Sequence, residues 1–370
     1  MRDFSCLSYF DLDPKENIMG LKSKLYRKQF APFKPLIGVA IILAMYFYGL
    51  IDFDFYSQKL GFDIPHWVFY SIFGALCLYA AWKTFWGVIW ILSAKENSRS
   101  KCFFGMLNNK NPQVKIENGL EEYALLASTF YEASQILIGD KESLSKLAKN
   151  PNYIPPYRLD KDGDLRGGSQ FINSIEGMHH LTKKEAEYRL KVPLENSWGI
   201  TGKTSALEQM DALWHGALEA AEYNLLDSKK GVLYSKTVQE FGYKTVNFKT
   251  DTNAAGFDII RFIYIARSSF TLGYIPEESV RNALWNTAQF IAASYESWEQ
   301  LGYSYLVTFL NWNLTSNYDE STYSYITERV TAINQLFSES NSPLKDTSLD
   351  ILRTIIEKEL ADNTKQESTT

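Results

Sequence analysis

The chain has 370 residues, with 38 Lys and Arg against 43 Asp and Glu, so a net charge of −5 leaves no bulk basic field for nucleic acid. Three cysteines (Cys6, Cys77 and Cys102) are odd in number and far apart, which argues against a disulfide framework or a CxxC metal pair. A mean hydropathy of −0.23 is that of a soluble protein, so apolar character must be concentrated locally.

It is concentrated near the N-terminus. Residues 1–33 form a basic flank in which Ile18, Met19, Leu21, Leu25, Tyr26 and Phe30 alternate with Lys22, Lys24, Arg27 and Lys28. That pattern suits either a short helix on an anionic leaflet or a disordered flank. From Pro35 to Ile51 the chain is uncharged for 17 residues, roughly 26 Å as a helix. A second run, Trp67 to Ala94, is interrupted only by Lys83. Two such runs in tandem predict a transmembrane hairpin over 34–94, with Lys83 snorkelling near the headgroups and Trp86 and Trp90 as interfacial anchors. Both flanks are basic, whereas the connecting loop has only Lys59 among Asp52, Asp54 and Asp63. The positive-inside rule therefore predicts cytoplasmic termini, an external loop and a bacterial inner-membrane location.

A polar linker is expected over 95–118, marked by Asn108, Asn109, Asn111 and Pro112. A mainly helical domain follows over 119–315, and the fold class is all-α. Asn118 with Glu121 reads as a capping start, and Thr182 with Glu185 as another. Ser205 with Glu208 opens a longer helix whose face is Leu207, Met210, Leu213, Trp214, Ala217 and Leu218. The stretch Val232 to Thr250 is compatible with a helix or a hairpin. A helix runs from Ala254 to about Leu272, stopped by Gly273, and Pro276 starts the next. Ser297 with Gln300 opens a further helix. Residues 316–370 give two more helical patterns and a polar tail, Asp362 to Thr370, expected to be disordered.

Several motif-like strings fail on spacing. Gly199-Ile-Thr-Gly-Lys-Thr204 ends like a phosphate loop, but Ser197 stands where the first glycine belongs and no strand precedes it. Asp160, Asp162 and Asp164 have Phe171 where a calcium loop needs a glutamate. The adjacent His179 and His180 point apart on a helix, and His215, beside an apolar face, reads as a packed or capped imidazole. No metal or cofactor site is expected.

One constellation stands out. The stretch Phe257 to Arg267 is apolar almost all round except for Asp258, Arg261 and Arg267. Asp258 and Arg261 are i,i+3 neighbours able to pair. Arg267, on the opposite side of the helix, needs a carboxylate from another helix or an anionic ligand, because a buried charge is costly unless paired. A network fixing helix register and a ligand cleft lined by Asp258, Arg261, Arg267 and Trp198 both fit this pattern.

The strings Trp198-Gly199-Ile200, Gly256-Phe257-Asp258-Ile-Ile-Arg261, Ala266-Arg267, Gly273-Tyr274-Ile275, Ser297-Trp298 and Ser304-Tyr305 occur in that order. Together they resemble the bacterial family called domain of unknown function 1266, over roughly Leu120 to Leu314. Phe257-Asp258 departs from the Trp-Asp common in that family. The resemblance implies a domain and carries no activity. The sequence thus leads to a membrane-tethered, non-enzymatic module binding a protein or small ligand, with the lipid bilayer and an unidentified protein as partners. An enzyme of unrecognised type, with a polar cleft around the three charges, is the alternative.

Overall fold

The computed structural model describes residues 34–48, 66–97, 99–109, 112–150, 153, 155–156, 171–177, 187–243, 252–316 and 322–367. It is mainly helical, as the periodicities predict. Two helices precede the domain: α1 (Lys34–Phe47) and α2 (His66–Asn97), which pack together. A short antiparallel pair, β1 (Lys101–Cys102) with β2 (Leu137–Ile138), brackets α3 (Gly119–Glu132). Then come α4 (Lys141–Lys149), α5 (Val192–Trp198), α6 (Lys203–Ala221), α7 (Lys229–Glu240), α8 (Gly256–Thr271), α9 (Glu277–Ser294), α10 (Trp298–Ser316), α11 (Thr322–Ser338) and α12 (Leu349–Glu367).

Helix α8 is the axis of the domain and touches α3, α6, α9 and α10. Its Ile259, Ile260, Ile263 and Ile265 are fully buried, each contributing about 1.5–3 kcal/mol over the exposed state. Gly256, its first residue, lies so close to α10 that a Cβ would meet the Tyr305 amide nitrogen at 2.4 Å. Only glycine permits that approach. Gly273, at φ +73°, ends the helix in the left-handed region. Around this axis α10 carries α7 and α11, while α12 lies on α9 and α3.

The caps show which local signals act. Asn118 Oδ1 accepts from the Glu121 amide at 2.9 Å, starting α3 as the sequence predicts, while the Glu121 carboxylate accepts from Glu117. At α6 the expectation is corrected. The helix begins at Lys203 with Gly202 as cap, and Ser205 Oγ accepts from the Thr201 and Gly202 amides. Ser205 therefore sits inside the first turn, not before it. Lys229–Glu240 is helical, capped by Ser228 Oγ on the Gly231 amide, which settles the first half of the ambiguous stretch.

Three larger expectations change. Among the described residues no helix is long and apolar enough to cross a membrane. Helix α1 has 14 residues, about 21 Å against a hydrocarbon core of about 30 Å; α2 is longer, but Lys83 interrupts its apolar run. The expected transmembrane hairpin is therefore not found as such.

The supposed linker is part of the core: Phe103, Phe104, Met106 and Leu107 are buried, and β1 is tied to α11. The Cys102 amide donates to the Gln335 side chain at 2.7 Å, Gln335 donates to the Ser100 carbonyl at 2.7 Å, and Lys101 pairs with Glu339. The C-terminal extension likewise shares the core through Ile326, Val330, Ile333, Leu336 and Leu352. The polar tail expected from Asp362 is helical to Glu367, because adding residues to an existing helix costs far less than starting one, even through Asp362, Asn363 and Thr364.

The basic flank 1–33, the Lys59 loop, the Asp160, Asp162 and Asp164 string, His179 and His180, and the Thr182 to Glu185 start lie outside the described residues.

Candidate functional site

Asp258 is in the first turn of α8, where the helix dipole favours a carboxylate. Two of the amides that the helix itself leaves without an acceptor at that end are taken by α10: Gly256 N–H donates to Ser304 Oγ at 2.9 Å and Phe257 N–H to Thr308 Oγ1 at 3.1 Å. One turn along, Arg261 pairs with Asp258 as the spacing predicts. The guanidinium also faces two rings, 4.3 Å from the centroid of Phe257 and 5.4 Å from that of Trp198. Trp198 reaches it because α5 ends there and Gly199, at φ +68°, turns the chain away. Three of the four predicted residues thus converge.

Arg267 does not join them. Its hydrogen bonds run to backbone carbonyls of the segment Phe171–Gly177: Nε donates to Ile175, and Nη2 to Phe171, Ser174 and Glu176. These carbonyls take donors of the guanidinium, and the carboxylate expected from another helix is Glu132 of α3, which acts on it through its charge. Charge balance still comes from carboxylates. Burial pushes the Arg267 pKa down to about 10, opposed by Glu132 of α3 and by Glu176, so the side chain stays protonated at neutral pH. Glu176 is itself held by Asn109 Nδ2 at 3.1 Å and the amides of Gln113 and Val114 at 2.8 and 3.0 Å. The Gly177 amide donates to Thr271 Oγ1 at 2.8 Å, closing the segment onto α8.

A third guanidinium, Arg329 of α11, lies over the rings of Tyr131 (4.7 Å) and Phe309 (4.8 Å). It donates to the Tyr131 carbonyl at 3.0 Å and to the Tyr305 hydroxyl. Burial holds the Tyr305 phenol above its ordinary range. Sequence reasoning misses Glu132, Glu176 and Arg329. Arg329 carried a signal, a base set within the apolar row Ile326, Val330 and Ile333. Glu132 and Glu176 carried none.

Solvent access decides what the arrangement can do. Asp258 and Arg261 are each 1% exposed and Arg267 is fully buried. Asp258 and Arg261 pair within α8, Arg267 ties α8 to Phe171–Gly177, and none of the three presents a face to solute. A groove of about 510 Å³ does open on the surface, but it is lined by Leu207, Glu208, Met210, Asp211, Trp214, Phe262 and Asn286, none of them a predicted site residue. His215, expected to be packed or capped, is exposed, with Nδ1 3.0 Å from the Asp211 carbonyl and 3.2 Å from its carboxylate. Among the described residues no group of three or more His, Cys, Asp or Glu is placed to hold a metal ion.

Residues 193–349 match the model of a family described as protein of unknown function (DUF1266). The match begins later and runs further than the span carrying the resemblance in sequence, and it includes α11. No curated protein and no solved structure matches the chain.

Proposed function

We propose that this chain, whose residues 193–349 belong to the DUF1266 family, is a membrane-tethered, non-enzymatic module that binds a protein or small ligand. In this reading α1 and α2 form the hairpin embedded in the bilayer, Lys83 sits at headgroup level, and both termini and the helical domain are cytoplasmic at a bacterial plasma membrane.

The observation that carries the reading is the surface of α2. At about 100° per residue, Phe73, Cys77, Ala80 and Thr84 fall within one narrow arc and are among its less exposed positions, with Val68, Lys83 and Ile89 outside the arc. Around the remainder Ile72, Leu76, Leu78, Tyr79, Trp82 and Phe85 are exposed. Helix α1 adds Ile37, Ile41 and Met45. A helix apolar nearly all round belongs inside a protein or a membrane, and water-soluble chains rarely leave so continuous an apolar surface open. The sealed charges around α8 support binding over catalysis, since an enzyme cleft there needs access that those residues lack.

Alkaline carbonate extraction tests the tether: the chain should stay with the membrane pellet and float with lipid. Recovery in the soluble fraction overturns it. Reporter fusions after Gly61 and after Thr370 test orientation. A periplasm-active reporter at the C-terminus would overturn the cytoplasmic placement.

A further inference from the structure

Helix α6 carries more apolar surface than the fold covers. Its inward side is Ala206, Met210, Leu213, Ala217 and Ala220, all buried. Leu207 and Leu218, expected in the core, are instead 40% and 43% exposed, with Trp214 half-buried between them. At about 100° per residue these three lie within 40° of one another, so they form one stripe along the helix. From Leu207 to Leu218 the stripe rises about 16 Å, three turns. Leu207 and Trp214 of the stripe line the 510 Å³ groove together with Met210, Phe262 of α8 and Asn286 of α9, and Leu218 continues the stripe beyond it. Trp214 is braced from beneath, its ring centroid 5.3 Å from that of Phe262 and 5.9 Å from that of Phe290.

The charge lining this groove has one sign, while Lys203, exposed one turn before Leu207, and His215, 3.2 Å from the Asp211 carboxylate, lie outside the lining. Glu208, Asp211 and Glu219 follow the stripe along the same edge, and Glu208 and Asp211 line the groove. Among the described residues no Lys or Arg lines it. A braced aromatic in an apolar trough beside an acidic edge matches the anchors and rim of a helix-in-groove interface. An anionic membrane surface or nucleic acid is repelled by the same edge.

We propose that the groove over α6, α8 and α9 receives an amphipathic helix of about three turns from a partner protein. Its apolar side sits on Leu207, Trp214 and Leu218, and its Lys or Arg residues face Glu208, Asp211 and Glu219. This rests on the reading of the chain as a binding module and assigns that module a site and a partner chemistry.

The test uses the full chain in lipid nanodiscs. A random peptide library is selected on it, and one enriched peptide is synthesised. Enriched sequences should place two or more Lys or Arg beside apolar residues at i, i+3 or i+4 spacing. Affinity should fall at least about tenfold with Leu218→Glu or Trp214→Ala. It should also fall with the pair Glu208→Lys and Asp211→Lys, and return when the peptide's bases are exchanged for Glu. Leu218 is on the surface, so Leu218→Glu should keep the helical circular dichroism of the parent. A library that does not enrich, enriched peptides without basic residues, or binding insensitive to Leu218→Glu and the charge reversal each overturn the proposal. Carbonate extraction reads the tether independently, so loss of the groove and loss of the tether are told apart.

Discussion

Asp258→Ala leaves the Arg261 guanidinium inside α8 at 1% exposure with its carboxylate gone. Breaking a buried pair from one side costs about 3–5 kcal/mol. The Phe257 and Trp198 rings remain over the cation and retain about 1–2 kcal/mol of attraction, which places Asp258→Ala toward the lower end. Arg261→Ala strands Asp258 and also empties the volume of one of the largest fully buried side chains, so it belongs at the upper end. The double variant Asp258→Leu/Arg261→Met leaves no lone charge and nearly fills the space; it should lie within about 1–2 kcal/mol of the parent. With the single losses near about 3 and about 5 kcal/mol, the coupling between the positions is then about 6–7 kcal/mol. Urea titration of the chain in mild detergent, followed by far-UV circular dichroism, measures all four proteins. Single variants within about 0.5 kcal/mol of the parent, or a double variant as costly as the sum of the singles, would refute the argument that this pair is a buried structural unit.

Gly256→Ala should destabilise by about 1–3 kcal/mol or more, because the added methyl strikes the backbone of Ser304 and Tyr305 as well as the Ser304 hydroxyl that accepts from the Gly256 amide; thermal melts read the loss directly. Arg267→Lys keeps the charge but loses the forked donors to four carbonyls, so it should cost about 2–5 kcal/mol and speed hydrogen exchange at the Ile172 and Ile175 amides. Tyr243, Tyr264, Tyr295 and Tyr305 are held above the ordinary phenol range, chiefly by burial. The folded state binds those protons more tightly, so their contribution is complete below about pH 10 and is lost as pH rises beyond it. The lowered Arg267 acts the other way above its value of about 10, one group against four. Phenolate absorbance and helix loss should therefore rise together in alkaline titration. A fragment starting at Arg99 should be markedly more resistant to proteolysis than one starting at Asn118, which lacks the buried Phe103, Met106 and Leu107.

Signals confined to one helix were the legible ones. The Asp258 and Arg261 pairing, the Asn118 cap and the Gly273 stop each depend on residues three or four apart, and each stands in the structure. The partners of Arg267 were not legible, because backbone carbonyls leave no mark in composition and Phe171–Gly177 has no helical or strand period. The segment 103–107 was hidden by the polar residues after it, since Asn108, Asn109 and Pro112 punctuate a turn whether or not the preceding run is buried. Leu207 and Leu218 were misassigned for a different reason. Periodicity reports which residues are apolar, and only the neighbours decide how much of that stripe is covered.

The seam joining Ser100–Cys102 to Gln335 has a consequence for how the chain is made. The Cys102 amide and its acceptor are separated by 233 residues. At about 5–20 residues per second, translation needs on the order of 10–50 s to deliver α11 after β1 has appeared. Throughout that interval β1 has β2 and the 133–136 turn beside it but not α11, while the two apolar helices ahead of it are already complete. The domain cannot close in order of synthesis; its first-made strand must wait for nearly its last helix. A stalled ribosome or a C-terminal truncation before Gln335 therefore yields a product in which β1 is open on the side that α11 covers, a form that quality-control proteases and chaperones would engage long before the rest of the core betrays a defect.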